Sequence, residues 1–138
     1  MTLRETLMKQ LKRHEGFSAF PYLDTAGKWT IGYGRNLSDV GISIEEAENL
    51  LEYDMGKAIA AAEKLFPGFD SLNDTRRAVI ANMAFNLGQA RLSKFKKFIA
   101  AVQSGDFEEA SAQMLDSVWA TQVKGRATEL AELMKNGA

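Results

Sequence analysis

At 138 residues, 46% of them hydrophobic, the chain is long enough for one ordinary domain or two small lobes around a buried core. It has no cysteine and a single histidine, which excludes disulfides, thiolate catalysis and zinc sites built from cysteine or from several histidines. The net charge of −1 gives no global field for nucleic acid, and with no cysteine and one histidine any catalysis near neutral pH must rest mainly on carboxylates, hydroxyls or bases other than histidine.

The chain opens with Thr2 and Glu5 at capping-box spacing, followed by Leu3, Leu7, Met8 and Leu11 at helical spacing. Gly16 is a good residue just past a helix end, so a first helix is expected over 3–15. Nothing in this stretch reads as a signal peptide, and no apolar run is long enough to span a membrane. Synthesis in the cytoplasm is therefore expected, with another component providing any exit.

The character changes over 17–37. "DTAG" is turn chemistry, and "KWTIGYG" alternates Trp29, Ile31 and Tyr33 with Thr30, Gly32 and Gly34. A small antiparallel hairpin or three-stranded sheet is expected, with a glycine face that something approaches closely. Ser43 and Glu46 make a second capping box, and an apolar stripe from Ala47 to Leu65 predicts a long helix over 44–66, stopped by Pro67-Gly68. "DTRRAVIANMAFNLG" reads as a buried central helix ending at Gly88.

Two further helical stretches follow, the second opened by Asp106 and Glu109 as an acidic variant of the capping box. "SVWATQVKGR" reads as short and irregular, and "RATELAELMKNG" as a closing helix. Arg91, Lys94, Lys96 and Lys97 read as a solvated face in preference to a patch for an anionic polymer. The expected fold is α+β and mostly helical. One domain spans 1–138: a sheet-containing lobe at 13–45, a connecting helix at 44–66, and a helical lobe at 67–138 joined by helix 3–15.

The chemistry concentrates around Glu15. A negative charge in the last helical turn sits in the negative end of the macrodipole, a loss of about 0.3–1 kcal/mol. The same field favours the protonated carboxyl, which suits a general acid. Asp24, at the turn after the first strand, has solvent and backbone N–H groups to keep it ionised. Thr30 lies six residues on, across the turn. An acid, a carboxylate and a hydroxyl beside a glycine face meet the requirement of glycoside hydrolysis. Taken alone the pattern is weak, since Asp24 also reads as an Asx-turn residue and Thr30 as an ordinary strand threonine. His14 is next to Glu15, but a neighbour on a helix points about 100° away, so it reads as a surface residue.

"HEGFSAFPYLDTAGKWTIGYG" resembles the catalytic segment of the T-even bacteriophage type of lysozyme, glycoside hydrolase family 24. Glu15-Gly16, Asp24 and Thr30-Ile31-Gly32-Tyr33-Gly34 keep that family's spacings, with Gly32 and Gly34 as its glycine frame. "EEAENLLEYD", "RRAVIANMAFNLG" and "FEEASAQMLDSVWATQVKGRA" extend the resemblance over about residues 5–130. It implies a lysozyme-like fold and cleavage of the β-1,4 bond between N-acetylmuramic acid and N-acetylglucosamine in peptidoglycan. Glu15 would be the acid. Asp24 would position or activate water or stabilise positive charge at the sugar, and Thr30 would help place the water. The family's usual account is inverting.

The resemblance also implies that Arg126 pairs with the catalytic glutamate, opposing the helix-end effect. It places Phe85, Asn86 and Gln113 on the substrate, with Trp119 a hydrophobic anchor under the cleft. Arg35 stands where the best-known relative has histidine, and an Arg35–Asp54 ion pair between sheet and long helix is expected. "NLSDVGIS" replaces a longer insert, so one cleft wall should be lower. The expected protein is a monomeric phage or prophage endolysin. It would need no metal or other cofactor, act on peptidoglycan, and neither bind nucleic acid nor insert in membranes. It would reach the wall from the host cytoplasm through a membrane lesion. The rivals are a muramidase carried on a tail or secretion machine, a catalytically silent peptidoglycan-binding domain, and a helical interaction module.

Overall fold

A computed structural model describes all residues, Met1–Ala138. The chain forms two compact units, Met1–Asn49 and Leu50–Ala138, and the fold is α+β. The boundary falls inside one long helix.

The first unit holds helix α1 (Leu3–Glu15) and strands β1 (Ser18–Leu23), β2 (Trp29–Gly32) and β3 (Arg35–Asn36). Thr2 caps α1 through a complete capping box: its hydroxyl accepts from the Glu5 N–H, and the Glu5 carboxylate accepts from the Thr2 N–H. Gly16 ends the helix at φ 69°, its N–H returned to the Lys12 carbonyl. The sheet is antiparallel in the order β1-β2-β3, with Leu23 opposite Trp29 and Thr30 opposite Asn36. A register shift between Ser18 and Tyr22 sets Ser18 opposite Gly32.

Helix α2 (Ile44–Leu65) begins with the second predicted capping box: Ser43 Oγ accepts from the Glu46 N–H, and Glu46 Oε1 accepts from the Ser43 N–H. The second unit continues through a 3₁₀ turn (Phe69–Ser71) and helices α3 (Asp74–Leu87), α4 (Gln89–Leu92), α5 (Lys96–Gln103), α6 (Phe107–Leu115), α7 (Val118–Val123) and α8 (Gly125–Asn136). Its core gathers Phe66, Val79, Ile80, Met83, Leu92, Phe98, Met114, Trp119 and Met134, all nearly inaccessible. Phe66 and Phe98 meet edge to face at 5.8 Å. Arg76 closes α8, donating to the carbonyls of Met134 and Lys135 while its guanidinium lies 3.6 Å from the Phe107 ring centre.

Three sequence expectations are corrected. The stretch read as irregular contains α7, a six-residue helix whose first turn is secured by Ser117 Oγ accepting from the Ala120 N–H. Only half of the acidic box at α6 forms, because Glu109 turns its carboxylate to Gln113 Nε2 at 2.8 Å. Arg35 pairs with Glu46 in place of Asp54. Its Nη1 donates to Glu46 Oε1 at 2.9 Å and to the Gly41 carbonyl at 3.0 Å, and its Nη2 donates to Glu46 Oε2. The short 37–43 loop brings the first turn of α2 to β3, whereas Asp54 lies about 12 Å farther along the same helix axis.

Candidate active site

Glu15 is the last residue of α1, and Lys12, Arg13 and His14 precede it. Those basic side chains suit the negative helix end that Glu15 does not. The Glu15 carboxyl lies against the turn between β2 and β3. Gly34 has φ 80°, a left-handed backbone that favours glycine, and a Cβ built there would fall 2.7 Å from Glu15 Oε2 and 2.9 Å from its Cδ. The glycine is needed twice at that position, once for the backbone and once for the carboxyl group. His14 is exposed on α1, as expected.

Asp24 follows β1 and organises the hairpin turn. Its Oδ1 accepts from the N–H groups of Ala26 and Lys28, each at 2.9 Å. These bonds form the Asx turn that the sequence also allowed for Asp24.

Thr30, in β2, is the one residue of the first unit that is fully buried, at 4% exposure. Its Oγ1 donates to the Lys28 carbonyl at 3.0 Å, leaving the oxygen's lone pairs free to accept. Gly32 closes β2, opposite Ser18.

Lys28 ties these groups together, which no sequence signal indicated. Its backbone serves Asp24 through both N–H and C=O and also accepts from Thr30. Its Nζ reaches Asp39 Oδ1 at 3.1 Å. Asp39 is in turn tied to Asn36, and Ser38 Oγ accepts from the Trp29 N–H at 2.8 Å. The short 37–40 segment is therefore pinned to β2 and β3.

The other predicted residues lie in the second unit. Phe85 is 46% exposed and, with Asn82 and Arg126, borders an open groove of about 600 Å³ lined by Leu51, Met55 and Ile59. Arg126 lies in the first turn of α8 and donates from Nε and Nη2 to Asn82 Oδ1. Asn86 Oδ1 accepts from the indole N–H of buried Trp119 at 2.7 Å, which makes Trp119 the expected anchor and gives Asn86 a structural duty as well. Gln113 is half-buried on α6 and spends its amide N–H₂ on Glu109.

The phage lysozyme family matches residues 12–135. The chain belongs to that family. Its relatives include the probable T4-type lysozyme 2 of Dictyostelium discoideum, 28% identical over 96% of this chain and 95% of the relative. The endolysin of Acyrthosiphon pisum secondary endosymbiont phage 1 is 29% identical over 98% of this chain and 92% of the relative. The pre-baseplate central spike protein of Enterobacteria phage T4 is 29% identical over 96% of this chain, but the chain spans only 28% of that protein's length. Family membership agrees with the motif around Glu15, and lysozymes are glycoside hydrolases that act on peptidoglycan.

Proposed function

We propose that this chain is a phage or prophage endolysin, a muramidase that hydrolyses the β-1,4 bond between N-acetylmuramic acid and N-acetylglucosamine. The observation that carries the reading is the Glu15 carboxyl seated against Gly34, in the same turn-and-strand segment that supplies Thr30. Glu15 protonates the glycosidic oxygen as the bond from that oxygen to the anomeric carbon breaks. Asp24, oriented by two backbone N–H groups, takes a proton from the water whose oxygen bonds to that carbon. Thr30 Oγ1 accepts from the same water and orients it. One water is consumed, each product sugar receives part of it, and the anomeric configuration inverts.

Phe85, Asn86 and Gln113 are the substrate contacts of this reading, and Arg126 is a supporting cation. The enzyme works as a monomer. It is made in the host cytoplasm and reaches the wall through a membrane lesion. A second reading, a muramidase carried on a tail, draws on the likeness to the phage T4 central spike protein and uses the same chemistry.

Product analysis of digested, purified peptidoglycan tests the proposal. New N-acetylmuramic acid reducing ends, released first as the α-anomer, are expected. New N-acetylglucosamine ends would assign a different glycosidase, and an initial β-anomer would make the reaction retaining. Binding without any release would favour a silent wall-binding domain.

A further inference from the structure

Both contacts that fix the end of α1 converge on one residue that the hydrolytic motif leaves open. Tyr33 sits between Gly32 and Gly34 in the β2–β3 turn. Its ring has the Lys12 ammonium 5.5 Å from its centre, within the range of a cation–π contact. It also meets the Phe17 ring at 5.5 Å between centres with a 50° tilt. Lys12 lies three residues before Glu15 and Phe17 two residues after it. Gly16, at φ 69°, turns the chain out of the helix between Glu15 and Phe17. The carboxyl in question lies against Gly34, the residue after Tyr33.

We infer that Tyr33 is a positioning residue for Glu15: its ring, held between Lys12 and Phe17, locks the last turn of α1 onto the β2–β3 turn and so keeps the Glu15 carboxyl against Gly34. No side chain of α1 is fully buried, and Leu7 and Leu11 stay 46% and 44% exposed, so apolar packing constrains its last turn only weakly. A carboxyl at the end of such a helix moves with the helix. The ring meets the chain on both sides of Glu15, and it springs from the residue before Gly34, against which the Glu15 carboxyl lies. This role rests on the acid function proposed for Glu15 and adds a residue to it. Tyr33 need not touch the sugar or the transferred proton.

The test compares Tyr33→Phe, Tyr33→Leu, Tyr33→Ala and Glu15→Gln, with kcat and KM on a soluble peptidoglycan oligosaccharide and a melting curve for each. Misplacing a reacting group by about 1 Å costs roughly a hundredfold, so Tyr33→Leu and Tyr33→Ala should lower kcat about 10- to 100-fold with KM little changed. Tyr33→Phe keeps the ring and should restore most of the rate. If folded Tyr33→Leu keeps the native kcat while Glu15→Gln is inactive, the positioning role is wrong and the acid assignment stands. If Tyr33→Phe falls as far as Tyr33→Leu, the hydroxyl and not the ring matters, which also overturns the inference. If Glu15→Gln keeps the native rate, both assignments fall together.

Discussion

The two units are held together by different physics. Between Leu50 and Ala138, twenty-one apolar side chains are buried in one cluster. Between Met1 and Asn49 a single residue is fully buried, Thr30, and order comes from capping boxes, the Asp24 turn, the Lys28–Asp39 contact and the Arg35–Glu46 pair. Glu15, Asp24 and Thr30 all lie in this second kind of architecture. Directional hydrogen bonds locate polar groups to fractions of an ångström, which catalysis needs, while close-packed cores supply most of the free energy of folding. Damage to Leu50–Ala138 should therefore appear as lost stability, and damage to Met1–Asn49 as lost turnover.

The largest stability effect should come from Trp119→Ala, which removes a buried indole and strands the Asn86 carbonyl oxygen it served. A loss of about 3–5 kcal/mol is expected by denaturant titration. A loss below about 1 kcal/mol would show that the site collapses around the gap and that packing there is not limiting.

Gly34→Ala should do the reverse. A Cβ overlapping the Glu15 carboxyl forces it to move, so kcat should fall on the order of a hundredfold. Differential scanning calorimetry should show a smaller change, about 1–2 kcal/mol for a side chain at positive φ. A melting loss as large as that of Trp119→Ala would erase the contrast.

Lys124 separates α7 from α8 at φ 47° and ψ −111°, the only non-glycine residue at positive φ. Lys124→Gly should stabilise the chain by about 1 kcal/mol, read as a raised midpoint in urea. An unchanged or lowered midpoint would mean that the lysine backbone carries no strain worth relieving.

The smallest effect concerns acid. Arg35 holds the Glu46 carboxyl down from its ordinary value of 4.5 to about 2, with the Ser43 N–H assisting. A carboxyl lowered by folding contributes stability that is complete above 4.5 and lost as pH falls from there through 2. The pair is more than a third exposed, so the contribution is modest and should weaken with salt. In Glu46→Gln, melting temperature followed from pH 5 to pH 2 should fall less than in the native chain. Parallel curves would remove Glu46 from the acid response.

Local signals in the sequence carry directly into the structure. Thr2 with Glu5 and Ser43 with Glu46 mark helix starts that the structure reproduces, and Gly16 and Gly88 mark ends. The spacing of Glu15, Asp24 and Thr30 led to the family. What the sequence concealed depends on where the chain goes between elements. Arg35 had several carboxylates in prospect along one helix, and only the path of residues 37–43 selects Glu46. The bond from Trp119 to Asn86 joins positions 33 apart. Lys28 does its work largely through backbone atoms, which side-chain chemistry does not predict. α7 leaves no sequence signature because six residues carry too little periodicity to distinguish helix from loop.

The central claim is that a carboxylic acid at the end of α1, seated on a glycine, delivers the proton that breaks a glycosidic bond. The most direct measurement is the rate of reducing-end release from purified peptidoglycan by folded Glu15→Gln beside the native chain. The glutamine keeps the shape and the contact with Gly34 but cannot donate a carboxyl proton, so a loss of at least two to four orders of magnitude, roughly, is predicted at an unchanged melting temperature. Release at the native rate by that variant would contradict the account.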